Sequence, residues 1–155
     1  MRGRARVRPL TSAGLLLGIG LGALLDGIVF HQILQLHGML TARLPKTTLL
    51  NAEVNMFWDG VFHAFAWVAT ALGVFRLWRA GADRETTWSG PKLLGAMLMG
   101  WGGFNLVEGL VDHHVLGLHH VVERLGLSAF DWMFLASGPL LLLAGRWLGG
   151  RGPAS

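Results

Sequence analysis

Four apolar stretches constrain this chain more than any other feature, because each can supply the ~20 residues that a ~30 Å hydrocarbon layer requires. They run over about residues 12–34, 54–78, 91–115 and 129–147. Lipid cannot satisfy an exposed backbone, so runs of this kind are expected as helices. With 52% of residues hydrophobic and only 14% charged, the composition is that of a membrane protein. The predicted fold is all-α, a four-helix transmembrane bundle over residues 11–148. Residues 1–10 form a basic tail, and residues 149–155 a tail expected to be disordered. The basic-then-apolar start has the outline of a signal peptide. However, the apolar run continues into Asp26 and His31 without a small-residue cleavage site, and is read as the first membrane helix.

The connections are short and carry Pro45, Gly81, Gly90, Pro91, Gly126 and Ser128, which predicts antiparallel neighbours. Ser128 is placed to cap the fourth helix, with Asp131 completing a capping arrangement. Gly138-Pro139 predicts a kink within that helix. Ten Lys and Arg residues (Arg2, Arg4, Arg6, Arg8, Arg76, Arg79, Arg84, Lys92, Arg146, Arg151) fall on one side, against Arg43, Lys46 and Arg124 on the other. This asymmetry predicts both termini in the cytoplasm, so the first and third helices run outward. It also explains the positive charge by topology and argues against a nucleic-acid partner. Absence of cysteine excludes disulfides, thiolate metal sites and iron-sulfur clusters; absence of tyrosine excludes a phenolate ligand or tyrosyl radical.

Two runs obey one pattern, acid-Gly-x-x-x-His-x-x-Leu-x-Leu-His: Asp26 to His37, and Glu108 to His119, at an offset of 82 residues (108 minus 26). Two tandem helical hairpins of like orientation, related by an axis along the membrane normal, would account for it. Asp26, Asp59, Glu108, Asp112 and Asp131 fall within predicted spans together with His31, His63, His113 and His114. Each Asp in a span costs ~2.5 to 3.5 kcal/mol on an insertion scale, so these groups are expected to face the bundle interior and one another.

At 100° per residue, Asp26 aligns with His37 and Glu108 with His119, while Asp112 shares the stripe of Glu108. On the second helix Asn55, Asp59 and His63 form another polar stripe. His31 and His113 lie ~140° around from Asp26 and Glu108 and are expected to turn toward neighbouring helices. Carboxylate and imidazole converging from facing helices are the donors of iron, manganese or zinc sites in bundle cores, and copper stays open because imidazole suits it and Met39, Met56 and Met133 lie near the outer end. The metal-ligand candidates are Asp26, His31, His37, Asp59, His63, Glu108, Asp112, His113 and His119, with His37 and His119 at the mouth. Asn55, Asn105 and Asp131 are candidate orienting residues. The competing reading of these acids and histidines is a hydrogen-bonded polar network, or a proton or ion pathway. His114 and His120 fall off the main stripes. The tryptophans Trp58, Trp67, Trp101 and Trp132 are read as packing or interfacial anchors.

Four blocks carry a resemblance to a known family: Asp26-Gly-Ile-Val-Phe-His31-Gln-Ile-Leu-Gln-Leu-His37, Asn55-Met-Phe-Trp-Asp59-Gly-Val-Phe-His63, Phe104-Asn105-Leu-Val-Glu108-Gly-Leu-Val-Asp112-His113-His114, and Asp131-x-x-Phe-Leu-Ala-Ser-Gly138. The chain resembles the bacterial membrane proteins grouped as domain of unknown function 2243. The resemblance implies a multi-pass protein of the bacterial cytoplasmic (inner) membrane, and associates it with the neighbourhood of cytochrome oxidase assembly factors, so that a respiratory oxidase or its assembly proteins become expected partners beside the lipid bilayer. It carries no catalytic residue across. Four functions stay open: a metal-dependent oxidoreductase or hydrolase, non-catalytic handling of copper or another metal, haem-based electron transfer through His31, His63 or His113, and a proton or ion pathway.

Overall fold

The computed structural model describes residues 8–151; the remainder of the expected terminal tails lies outside the described residues. Helix α1 (Arg8–Asp26) continues without a break into a π-helical segment, π1 (Gly27–Ile33). Helix α2 spans Leu49–Ala82, and α3 (Gly90–Glu108) continues into π2 (Gly109–Val115). A short 3-10 turn at Glu123–Leu125 precedes α4 (Ala129–Gly150). Among the described residues there is no strand, and four helices are long and apolar enough to cross a membrane.

Local sequence sets the helix ends. Thr48 starts α2 by accepting the Asn51 N–H, which carries this helix beyond the expected 54–78. Ser89 caps α3, with Pro91 in its first turn, where the missing N–H costs nothing. Ser128 and Asp131 form a reciprocal capping box on α4, which runs as one helix through Pro139.

The helices pack in a row rather than a square. Contacts join α2 to α1, α1 to α3 and α3 to α4, leaving α1 and α3 inside. Burial follows: half of the apolar window is buried in α1 and 44% in α3, against 17% in α2 and 11% in α4. The outer helices turn Phe57, Trp58, Trp67, Trp132, Leu140 and Trp147 outward, as lipid-facing helices do. The inner seam is parallel and built on small residues. A Cβ at Gly18 would collide with the backbone of Met97, and one at Gly100 with the Leu15 carbonyl. Gly14 and Gly22 likewise sit against Ala96 and Trp101. Gly60, by contrast, faces open space.

The sequence repeat is a structural repeat. Each π segment ends on the same pair of bonds: Leu34 N–H to Val29 O (2.8 Å) and Leu36 N–H to Phe30 O (2.9 Å) in the first, Leu116 N–H to Val111 O (2.7 Å) and Leu118 N–H to Asp112 O (2.8 Å) in the second. All four donors and acceptors correspond at the 82-residue offset (116 minus 34). The residue that follows turns left-handed in both, Gln35 at φ 50° and Gly117 at φ 53°. Only glycine adopts this conformation without a Cβ penalty. Gly117→Ala is expected to lower stability by ~1 kcal/mol, whereas Gln35→Gly raises it by up to about the same amount; thermal unfolding in detergent micelles measures both.

A candidate metal centre between the inner helices

The π turns decide which groups meet. Bonding i to i+5 places residue 31 back over residue 26, and the His31 Nε2 lies 3.2 Å from Asp26 Oδ2. The ~140° separation expected from a regular α-helix does not hold here, because the helix widens at Gly27. Its repeat partner widens at Gly109, and Asp112 stays half-buried beside Glu108.

Beyond each π segment the chain folds back inward. His37 and His119, expected at the mouth, are 2% and 0% exposed. Their rings stack face to face, centroids 4.7 Å apart and 10° from parallel. His31 stands edge-on to His37 at 4.4 Å, and His113 edge-on to His119 at 4.8 Å. Four imidazoles thus gather about the approximate two-fold axis between α1 and α3.

Each ring turns its Nδ1 toward an oxygen acceptor, and three of the four are hydrogen-bonded through it. His37 donates to the Val121 carbonyl at 3.0 Å and His119 to the Met39 carbonyl at 3.2 Å. Val121 is the repeat counterpart of Met39, so each half orients the histidine of the other. His31 Nδ1 bonds Asp59 Oδ1 at 3.0 Å, and His113 Nδ1 lies 3.2 Å from Asp131 Oδ1. Those same carboxylate oxygens accept the Met39 and Val121 N–H groups, at 2.8 and 3.0 Å. A carbonyl oxygen only accepts, so Nδ1 of His37 and His119 carries the proton, and a lone pair is left on Nε2 of the neutral ring.

Burial and the neighbouring imidazoles His119 and His31 push the His37 pKa down to about 2, against the opposing Val121 bond. Burial together with His113 and His31 pushes His119 down to about 3. Both rings are therefore in the form that can bind a metal.

Most of the inward nitrogens are unsatisfied. Nε2 of His37, His113 and His119 and both carboxylate oxygens of Glu108 are buried without a hydrogen-bond partner, while His31 Nε2 and Asp26 Oδ2 face each other at 3.2 Å. Glu108 Oε1 approaches His119 Nε2 at 3.6 Å. Three triads bring one donor atom each within 4.8 Å: Asp26, His31 and Glu108; Glu108, His113 and His119; and His31, His37 and His119.

The other candidates lie around this centre. Asp59 and Asp131 grip histidines and loop N–H groups from the second and fourth helices. Asp131 does so while its Oδ2 accepts from Ser128 N and Oγ at 2.9 and 3.0 Å, so capping and orienting are one job. Asp59 and His63 do not converge on one site: His63 bonds the Asp59 carbonyl at 2.7 Å, packs on Gly27, and joins none of the triads. Asp112 joins none of them either. Asn55 accepts the Leu40 N–H and donates to the Leu44 carbonyl, fastening the loop that carries His37. Asn105 donates to Ser137 Oγ at 2.7 Å and ties α3 to α4. His114 bonds the Gly109 carbonyl, and His120 Nδ1 sits 3.4 Å from Asp131. Met56 and Met133 point outward, 65% and 67% exposed. Met39 and Val121 contribute backbone groups; the one sign of them in the sequence is their shared place, two residues past the last histidine of each motif.

The sequence profile of a family described as predicted membrane protein (DUF2243) matches residues 13–152. The chain belongs to this family. The match takes in every residue of the histidine centre and both π turns. Comparison with curated proteins and with solved structures returned no match.

Proposed function

We propose that this member of DUF2243 binds one or two transition-metal ions through Nε2 of His31, His37, His113 and His119 and the carboxylates of Asp26 and Glu108. The observation that carries the reading is the convergence of four buried Nε2 atoms, those of His37, His113 and His119 without partners and that of His31 beside Asp26, on rings whose Nδ1 atoms face carbonyls or carboxylates. That is how metal-ligating histidines are held, the outer acceptor fixing tautomer and direction. An unpaired buried polar group costs ~1 to 3 kcal/mol, and several in one place call for a partner they share.

Imidazole and carboxylate donors without sulfur suit iron, manganese or zinc, and imidazole suits copper. The outward Met56 and Met133 lend no thioether to a copper site. The arginine asymmetry puts both termini in the cytoplasm and the centre toward the outer face of the bacterial cytoplasmic membrane. There a bound metal would act as a Lewis acid or activate water or dioxygen for oxidation or hydrolysis.

Elemental analysis of the protein purified in detergent tests the reading. The expected result is one to two equivalents of a transition metal, retained in His63→Ala. Protein that carries no stoichiometric metal, and takes none up on reconstitution, would sink it.

A further inference from the structure

The backbones of α2 and α3 both pack on α1 and meet each other only through side chains, Phe62 against Phe104 with ring centroids 6.0 Å apart, so a groove remains between them over α1. It has a volume of about 570 Å³ and is walled by Ile19, Phe62, Phe65 and Phe104. Phe65 and Val107 on its rim are 53% and 65% exposed on the face turned to lipid. Its inner end is polar, formed by Glu108 and Asp112. Glu108 is only 4% exposed, yet neither of its carboxylate oxygens has a hydrogen-bond partner. Phe62 forms the boundary with the centre, with its ring stacked on His31 at 5.5 Å and 11°. The feature breaks the repeat: the counterpart of Ile19 on α3 is Trp101, whose ring lies over Gly22.

We infer that this groove admits a phenol dissolved in the bilayer, seating its ring among Phe62, Phe65 and Phe104 and its hydroxyl on Glu108. Aromatic walls favour a ring in offset or edge-on contact. A buried carboxyl group whose two oxygens both lack a partner accepts a hydrogen bond from a phenol, which a hydrocarbon tail cannot give. Pockets of this size enclose molecules of drug-like dimensions, with a few polar groups fixing their orientation. As a route to substrate the proposal rests on the metal reading; as a binding site it stands alone.

Gly103 offers the test, because it lines the groove and a Cβ there meets nothing within 4 Å. The full chain in lipid nanodiscs is labelled with a diazirine-bearing alkylphenol, the adducts are mapped by mass spectrometry, and metal content is measured on the same samples. Adducts are expected on the Phe62–Phe65 turn and near Val107, suppressed by 4-hexylphenol but not by hexylbenzene. Gly103→Leu should lower them about ten-fold with metal unchanged; Val107→Trp is a second obstruction should the first variant fail to fold. Labelling spread over the lipid-facing surface, labelling indifferent to both variants, or equal competition by hexylbenzene overturns the proposal. Focused labelling of protein that holds no metal supports the groove while removing the metal reading.

Discussion

His119→Ala is expected to weaken metal binding well beyond the ~10- to 100-fold that loss of an orienting partner costs. His119 belongs to two of the three triads and is completely buried, so no other side chain replaces its Nε2. Asp59→Asn should stay within that ~10- to 100-fold range, because Asp59 acts through His31. His114→Ala should match the native protein. Titration against a chelator of known affinity ranks the variants. Heat stability gives a second reading: metal at about a hundred times its Kd stabilises the native protein by ~2.7 kcal/mol, and at the same concentration His119→Ala shows little of this gain. Equal affinity in His119→Ala and the native protein would move the ligand set elsewhere.

Gly18→Leu is expected to abolish the folded protein. The added side chain meets the backbone of Met97 rather than the tip of a flexible side chain, so relief requires the inner helices to part. Overpacking costs ~1 to 3 kcal/mol where neighbours can yield, and here they cannot. Gly100→Leu acts on the same seam from the other side, against the Leu15 carbonyl. Both variants should lose monodisperse protein in detergent chromatography and with it the metal, since Asp26 and His31 stand on one inner helix and Glu108 and His113 on the other. Gly60→Leu, with nothing within 4 Å of its Cβ, should behave as the native chain does.

The helices could be read from the sequence because apolar length is the property lipid selects for. The inward-facing acids could be read because charge is costly at that depth. The π turns could not. Their effect is a change of angular period just where Asp26 and His31 stand, and a fixed 100° step sends those two residues apart. Asp112 does stand beside Glu108, as a 100° step has it, whereas His63 turns to the Asp59 backbone. The row arrangement was hidden too, since four apolar helices pack as readily in a square. His37 and His119 were taken for residues at the mouth because they follow the apolar runs. Only the carbonyls of Val121 and Met39, which have no side-chain signature, draw them inside.

That exchange of carbonyls sets an order of events during synthesis. When the first hairpin leaves the ribosome, His37 has no acceptor for its Nδ1, because Val121 has yet to be made. The first half can neither fix its own ring nor capture an ion early. On the metal reading, loading waits until Val121 has been made, so a chain truncated anywhere before Val121 is expected to purify without metal.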